Sequence, residues 1–407
     1  MGISNTFIKE STLTDIANAI RTKTGSSDLL LPGQMADAIL GLNVIKPKTY
    51  IIKIDQNNPD PLACCTYEGD AVGMTKGSDA WDEIFGYKPC VMQNDNIIGY
   101  LNPNNFTKYE NGTSAPITDA SYDVMIEFPR MGLDISTNGN IITIKLTDKL
   151  EDSNFQYRAF TKQGVVKDKF YMGAYLGSFN ISNKICSVSN VAPVTNMDLT
   201  DAIANAQARG SGYDIMGFYQ WTYIQCLYLL KYGNLNSQVA LGKGYTSGSE
   251  KQHTGVTDTK GMCYGNPDSG TDRVKLFGLE DTWGNLYQWL GGLYCDNNYN
   301  LLTKTSNFTT GTTVSDYDFS TPSGLTSPIY DYLTQTQGTN GGGFVGKTGN
   351  GSSTTYWSDN GYVYPGYFAY MGSDWSYGAN AGLFRCFVFA SASGGASNRV
   401  GCRLMYL

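Results

Sequence analysis

The densest run of apolar side chains lies at residues 277–293, FGLEDTWGNLYQWLGGL, in a region otherwise rich in Gly, Ser, Thr and Asn. Two tryptophans, a leucine and a tyrosine fall within residues 283–289, and they bury a large apolar area if they face inward. The Gly-Asn pair at 284–285 favours a turn that leads into a short strand. The pattern predicts the central strand and core anchor of one large domain, in which these rings pack rather than bind a ligand.

Apolar spacing over residues 10–42 predicts a helical hairpin, which we assign to a unit at residues 1–45. Thr12 or Thr14 can cap the first helix, and Pro32 suits the first turn of the second helix. The apolar positions are Leu13, Ile16, Ala17, Ile20, Met35, Ala38, Ile39 and Leu42. Two short helices bury little surface of their own, so we expect this unit to pack on a neighbour or on another subunit.

Residues 46–118 contain short apolar pieces separated by turn residues, and they predict a small β-rich module. The pieces lie at 51–54, 63–66 and 91–92, and the turns contain the sequences NNPD, NPNN and NGT.

A large domain is expected at residues 119–407. Asn138-Gly139 predicts a hairpin between the first two of its strands. Thr200 is expected to cap the first helix and Gly210 to end it, and Gly233 is expected to end the second. The second helix carries an apolar stripe of Trp221, Ile224, Leu227 and Tyr228. The expected strands are 123–128, 140–146 and 169–176, and the expected helices are 201–210 and 215–232.

Composition narrows the function classes. The chain has 407 residues, of which 41% are hydrophobic and 16% charged, and it contains 29 tyrosines. Tyrosine and glycine suit adaptable binding surfaces, but they also suit ordinary β-rich cores and turns. The net charge is −7 and no Lys/Arg run occurs, so the sequence lacks the electrostatic signature of nucleic-acid binding.

The sequence has no apolar run long enough for a transmembrane helix, so we expect no membrane insertion. The first residues, MGISNTFIKESTLTD, lack the basic-then-apolar order of a signal peptide, so we expect synthesis in a cytoplasm.

Cysteine and histidine usage argues against several kinds of site. No CxxC pair occurs among the nine cysteines, so neither a zinc site nor a disulfide framework is indicated. His253 is the only histidine, which excludes a histidine-based triad and a multi-histidine metal site. We expect no cofactor and no catalytic residue.

Several motifs carry a resemblance to known proteins. WGNLYQW at 283–289 is similar to the GNVWEW motif of the formylglycine-generating-enzyme branch of the C-type lectin fold, and SNRVGCR at 397–403 is similar to its SNLGFR motif. VMIEFPRMG and KFYMGAYLG resemble the opening strands of that branch. The segment 372–384, GSDWSYGANAGLF, followed by GCRL at 401–404, resembles most nearly the variable proteins of diversity-generating retroelements, with Met371 in place of the first Gly of their pattern. LTDIANAIRTKTG and LPGQMADAI resemble an N-terminal segment of bacteriophage tail proteins.

The resemblance implies an α+β fold, namely a C-type lectin fold with two helices and extensive irregular loops, preceded by the helical hairpin and the β-rich module. It implies a non-enzymatic display protein at a phage tail, or at a bacterial cell surface, that binds a host-surface protein or glycan and is diversified by a retroelement. We expect self-association, with a trimer by analogy with tail proteins. The alternatives are an oxidoreductase of the formylglycine-generating type and a purely structural tail component.

Cys386 bears on the enzyme alternative, since FRC at 384–386 resembles the YRC motif that carries a catalytic cysteine in that family. The enzymes use a second cysteine five residues upstream, and that position is Ala381 here. We therefore expect Cys386 to be a buried core residue.

Two further motifs lack their structural context. Residues 341–348, GGGFVGKT, match the phosphate-loop pattern, but a polar segment precedes them and no helical pattern follows. Asn266-Pro267-Asp268 resembles the calcium tripeptide of sugar-binding lectins, but the loop offers too few carboxylates for calcium, and we expect a turn and no metal site.

Strand periodicity and the resemblance together give the expected ligand-binding positions. Alternation over 384–389 places Phe384, Cys386 and Val388 on one face, expected to be the core, and the intervening residues on the other. The opposite facing is the alternative, because short apolar runs leave it open. By the resemblance, the retroelement substitutes at adenines, so positions that break an Asn-rich pattern are candidates. The expected variable positions are Tyr362, Val363, Tyr364, Ser376, Tyr377, Arg385, Phe387, Phe389, Ala390 and Gly394, held by a frame of Trp283, Trp289, Trp375, Leu383 and Arg403.

Overall fold

The computed structural model describes residues 10–24, 47–149 and 152–407, and the chain divides into two compact units, Met1–Pro47 and Lys48–Leu407. In the first unit, helix α1 spans Glu10–Thr24, so the expected cap positions, Thr12 and Thr14, lie within the helix and not before its first residue. The second helix expected in this unit lies outside the described residues.

The described chain is mostly β-sheet with few helices, which is compatible with an α+β class. None of its helices is long and apolar enough to cross a membrane. The further helices are α2 (Ala80–Phe85), α3 (Leu199–Gln207), α4 (Phe218–Tyr232) and α5 (Ser237–Ala240), with 3-10 turns at Arg158–Phe160, Val314–Asp316 and Gly378–Asn380.

The strands fall into two groups along the chain. The first fourteen are β1 (Thr49–Asp55), β2 (Cys65–Gly69), β3 (Lys88–Gln93), β4 (Asn96–Asn102), β5 (Asn105–Tyr109), β6 (Asp123–Pro129), β7 (Gly132–Asn138), β8 (Ile141–Thr147), β9 (Thr161–Lys162), β10 (Val165–Val166), β11 (Lys169–Gly173), β12 (Ser178–Phe179), β13 (Ile185–Cys186) and β14 (Tyr213–Ile215). The later thirteen are β15 (Lys275–Leu276), β16 (Leu279–Glu280), β17 (Tyr287–Cys295), β18 (Asn300–Thr303), β19 (Phe319–Pro322), β20 (Ile329–Tyr332), β21 (Gln335–Thr336), β22 (Gly346–Thr348), β23 (Asn360–Val363), β24 (Tyr367–Met371), β25 (Cys386–Ala390), β26 (Val400–Gly401) and β27 (Leu404–Tyr406).

Three larger sheets organise the unit Lys48–Leu407. The strand orders are β2-β1-β8-β7, β14-β27-β11-β6-β3-β4-β5, and β19-β18-β17-β24-β25-β23-β20 with β26 beside β17. The first two sheets join strands from residues 46–118 to strands that follow residue 119. The structure therefore does not divide the chain at 118/119, because the expected β-rich module completes its sheets with β6, β7, β8, β11 and β27.

Several expected elements differ in detail from the structure. The three expected strands are present as β6, β8 and β11, but the Asn138-Gly139 turn joins β8 to β7, a half-polar strand that we did not predict. Helix α3 begins after Asp198, whose side chain accepts a hydrogen bond from the Asp201 N–H at 2.8 Å, so Asp198 and not Thr200 is the cap. The helix ends before Gly210, with Ala208 at its C-cap.

Helix α4 is shorter than expected at its start because residues 213–215 form β14, which pairs with β27. Its expected end is confirmed, since Gly233 adopts a φ of 51° and donates its N–H to the Leu229 carbonyl at 2.8 Å. The helix does not show a single apolar stripe, because nearly all its side chains, including Gln220 and Lys231, are buried.

The segment at 277–293 contains the core strand that its pattern predicts. β17 is buried along its whole length and lies inside the third sheet, hydrogen-bonded to β18 and β24. Gly284 and Asn285 adopt φ values of 79° and 61° in the turn before it. Trp283 and Trp289 are fully buried, as are Leu383 and Arg403 of the expected frame, and Trp375 is 5% exposed.

Candidate functional site

A continuous group of aromatic rings covers one face of the third sheet, and we call it the aromatic face. Neighbouring ring centroids within it are 3.6 to 6.2 Å apart, which is the range of direct ring contacts. Its members are Tyr287, Tyr330, Tyr362, Tyr364, Tyr367, Tyr370, Tyr377, Phe387 and Phe389.

Strand register produces the centre of this face. Tyr330 pairs with Tyr362 across β20 and β23, and Tyr362 pairs with Phe387 across β23 and β25. Phe387 pairs in turn with Tyr370 of β24, and their rings stack at 4.8 Å with planes 12° apart. Four adjacent strands therefore present one aromatic residue each in a row, which fixes the rings by backbone pairing.

Alternation along β25 decides which side chains reach this face. Phe384, Cys386 and Val388 point into the core and are buried. Phe387 and Phe389 lie on the other side, where their exposed fractions are 9% and 41%. The facing agrees with the expectation, but exposure rises along the strand, and Phe387 is buried because Tyr362 and Tyr370 flank it.

Arg385 was expected at the surface, and this is wrong, since only 1% of the residue is exposed. Its Nε donates to the Tyr287 hydroxyl at 2.9 Å, and its Nη1 donates to the Asn360 side chain at 3.1 Å and to the Asn380 carbonyl at 3.1 Å. The guanidinium lies 4.7 Å from the ring centre of Tyr377. Arg385 is thus covered by the rings of the aromatic face and holds them from below.

Two other expected contact residues are also buried. Val363 faces the core because it pairs with Val388 on the inner side of the sheet. Ala390 is buried beside Phe368, its partner on β24. Val363 cannot touch a ligand without a change in the sheet, whereas Ala390, although buried, lines the cleft that adjoins the aromatic face.

The remaining expected positions are accessible. Tyr362, Tyr364 and Tyr377 are half-buried, and Ser376 and Gly394 are exposed. Tyr330, Tyr367 and Tyr370 were not predicted, although Tyr330 is 62% exposed. The alternation Ile-Tyr-Asp-Tyr at 329–332 was the available signal for Tyr330, but nothing local indicates that β20 lies beside β23.

A cleft of about 410 Å³ adjoins the aromatic face. Tyr367, Tyr370, Tyr377 and Phe389 contribute rings to its lining, and residues 390–400 contribute a loop with several serines and glycines.

An ion pair lies in the lining of this cleft. The buried Asp374 carboxylate accepts hydrogen bonds from Arg399 Nη1 at 3.0 Å and from the Ser376 N–H at 2.8 Å and Oγ at 2.9 Å. Arg399 is exposed, and its guanidinium lies 5.4 Å from the Trp375 ring centre. This pair joins the loop that contains Trp375 to the loop before β26.

Burial disfavours ionisation of the phenols and of the thiol near this face. Burial raises the pKa of the Tyr287 and Tyr370 phenols, so both stay protonated at neutral pH. Burial also raises the pKa of the Cys386 thiol to about 12, which disfavours the nucleophilic thiolate. Ala381, at the position of the second cysteine of the enzymes, is buried as well.

The other two motifs have ordinary structural roles. Gly346–Thr348 forms β22 and pairs with β21, where a phosphate loop requires the start of a helix. In the 266–268 segment, the Asp268 N–H donates to Asn266 Oδ1 at 3.0 Å, which closes a turn. Among the described residues, no group of three or more His, Cys, Asp or Glu side chains is placed to hold a metal ion.

Comparisons with known proteins complete the description. No protein-family model matches the sequence, and no curated protein matches it. Among solved structures, the chain is similar to the Major Tropism Determinant M1, U1 and P3c variants, with sequence identities of 14%, 13% and 14%. Each match covers 82% of this chain and 73% of the other, with TM-scores of 0.30, 0.29 and 0.29. Likeness at these TM-scores does not establish a family, so the functional assignment rests on the residues of this chain.

Proposed function

We propose that this chain is a non-enzymatic ligand-binding protein whose contact surface is the aromatic face with its adjoining cleft. The observation that carries the proposal is the row of aromatic residues on four adjacent strands, with an exposed ring at one end, Tyr330, and a second exposed ring beside the row, Phe389. Contiguous exposed apolar surface marks interaction sites, and tyrosine is enriched among residues that dominate binding energy.

The architecture below the face suits a binding surface that must stay rigid while its outer residues change. Arg385 is hydrogen-bonded to two strands and a loop, and Phe387 is stacked between neighbours. A preorganised surface loses little conformational entropy when it binds. The accessible positions above it can therefore be substituted at little cost to the fold.

The wider role that we propose follows from the motif resemblance. The protein would act in recognition of a host-surface protein or glycan at a phage tail, or at a bacterial cell surface, with a retroelement diversifying its C-terminal residues. Substitution would then concentrate at the accessible positions Tyr362, Tyr364, Ser376, Tyr377, Phe389 and Gly394. A reverse-transcriptase gene beside the coding sequence, with an imperfect repeat of its 3′ end, would support diversification, and its absence would count against it.

We also propose that the chain self-associates, as a trimer by analogy with tail proteins. Self-association is motivated by the small size of the N-terminal unit, Met1–Pro47, which cannot bury much surface alone. Light scattering at micromolar concentration should give the mass of three chains, and the mass of a single chain would contradict this proposal.

Binding itself can be tested on a panel of bacterial cell envelopes with the purified full chain. The Tyr330→Ser, Phe389→Ser double variant removes the two most exposed rings of the face and should lose at least about tenfold in affinity. Ile181→Ser is a matched control, because Ile181 is 96% exposed and does not belong to the face. Unchanged envelope binding by the double variant would show that the face is not the contact surface, and a chain that binds no envelope would favour a purely structural tail component.

A further inference from the structure

The aromatic face covers a positive charge that has no direct counter-ion. Arg385 is almost fully buried, and no carboxylate among the described residues lies within ion-pair distance of it. Its partners are a phenol, an amide and backbone carbonyls, with three aromatic rings nearby. A buried unpaired charge is unusual, because a low-dielectric surrounding screens it poorly.

Asp359 forms no direct ion pair with Arg385. It is fully enclosed, and its carboxylate accepts the Phe384 N–H at 2.7 Å. Burial raises the pKa of Asp359 well above its usual range, although the nearby Arg385 charge lowers it. Arg385 therefore leaves positive potential beneath the face.

Arg399 offers hydrogen-bond donors in the cleft. Its Nη1 donates to Asp374 at 3.0 Å and to Ser376 Oγ at 2.6 Å, and its Nε and Nη2 have no acceptor in the part of the chain that the structure describes. Asp374 and Arg399 are the two charged residues in the described lining of the cleft, and they neutralise each other. The positive charge of Arg385 below the rings and the free donors of Arg399 in the cleft together favour an anionic ligand.

The shape and lining of the cleft narrow the class of anion. Its volume of about 410 Å³ falls within the usual range of small-molecule sites. Tyr367, Tyr370 and Tyr377 line one part, where the C–H face of a sugar ring can pack on a tyrosine ring. Ser391 and Ser397 line another part of the cleft, and their hydroxyl groups can form hydrogen bonds with sugar hydroxyls. An acidic amino-acid side chain has no ring to cover the tyrosines.

From this combination we propose that the cleft binds an acidic sugar, namely a pyranose ring that carries a carboxylate. The ring lies on the tyrosines, and the carboxylate accepts hydrogen bonds from Arg399, whose planar fork matches its geometry. Arg385 contributes positive potential from below without touching the sugar. This assignment rests on the proposed function and specifies the ligand class of the same site.

Calorimetric titration of the full chain with methyl glucuronide, methyl galacturonide and N-acetylneuraminic acid tests the assignment. At least one of these should bind, while methyl glucoside and methyl galactoside, which lack the carboxylate, should bind at least about tenfold more weakly. Arg399→Gln should weaken binding of the acidic sugar by about tenfold or more. Arg399→Lys should bind with an affinity between those of the wild type and Arg399→Gln, because lysine keeps the positive charge but lacks the planar pair of N–H donors of the guanidinium. Lys243→Gln is the matched control and should bind as the wild type does, since Lys243 is not part of the cleft lining.

Three results would overturn the assignment. Equal binding of the neutral glycosides would show that charge does not select the ligand. Tighter binding of a glutamate-rich peptide than of any acidic sugar would assign the site to protein ligands. If none of the sugars binds but envelope binding still depends on Tyr330 and Phe389, the sugar assignment fails and the proposed function stands. The ligand series on the wild-type chain is decisive even if an Arg399 variant does not fold.

Discussion

Phe387 and Phe389 lie two residues apart on the same face of β25, and the structure predicts that they respond differently to truncation. Phe387 is 9% exposed and packs between Tyr362 and Tyr370, so Phe387→Ala removes a buried ring and should cost about 3–5 kcal/mol of unfolding free energy. Phe389 is 41% exposed, so Phe389→Ala loses about half of the burial energy of a phenylalanine, or about 1 kcal/mol.

Urea unfolding followed by tryptophan fluorescence measures this difference directly. Thermal shifts will be small, because a unit of this size has an unfolding entropy of about 0.75 kcal/mol/K. Phe387→Ala should therefore lower Tm by about 4–7 °C and Phe389→Ala by about 1 °C. Envelope binding should fall for both variants, but only Phe389→Ala should lose it without a large loss of stability. Equal destabilisation by the two substitutions would refute the division between a buried support and an exposed contact ring.

Three further predictions concern the support of the fold. Asp198→Ala should cost about 1 kcal/mol in urea unfolding through loss of the α3 cap, whereas Thr200→Ala should cost clearly less; the reverse order would contradict the cap assignment. Burial raises the pKa of Asp214 to about 6, so this carboxyl group binds a proton more readily in the folded chain than in the unfolded chain, and its contribution to stability is lost as pH rises from about 4 to 6. Asp214→Asn should reduce the fall in unfolding free energy over that pH window by about 2–3 kcal/mol. An unchanged pH profile would show that Asp214 ionises normally. Cys386 in the native chain should resist alkylation by iodoacetamide at pH 8, because burial raises the pKa of its thiol to about 12. Peptide mass analysis measures the labelling, and rapid labelling of Cys386 in the native chain would favour the enzyme alternative.

Periodicity identified core strands well where burial and alternation agree. The aromatic run at 283–289 predicted a buried strand, and β17 has no exposed residue. Period-two alternation placed Phe384, Cys386 and Val388 in the core correctly. In both cases the facing of each side chain, toward solvent or toward the core, follows from the pattern of apolar residues at neighbouring positions of the sequence.

Pairing between distant strands was not predictable from local pattern. β1 and β2 complete a sheet with β7 and β8, and β3 pairs with β6, so the expected module at 46–118 is part of the larger unit. Such contacts depend on register over many residues, which a single sequence does not reveal.

In the candidate site, too, local pattern predicted the facing of side chains but not the contacts that come from distant strands. Local alternation gave the correct facing for Phe387 and Phe389, but it could not give their exposure, because the covering rings come from β23 and β24. The exposure of Arg385 was wrongly predicted for the same reason, since alternation placed it on the face opposite Phe384 but could not show which residues cover it. Its burial depends on acceptors from residue 287, residue 360 and residue 380, which only the fold brings together.

Hydroxyl-radical footprinting of the full chain, with and without a bound cell envelope, tests most directly whether the aromatic face contacts a ligand. Tyr330 and Phe389 should be oxidised in the free chain and protected in the complex. Ile181 and Val239, which are exposed and outside the face, should be oxidised equally in both states. Protection of Ile181 or Val239, with Tyr330 and Phe389 still oxidised in the complex, would place the contact surface elsewhere and contradict the account.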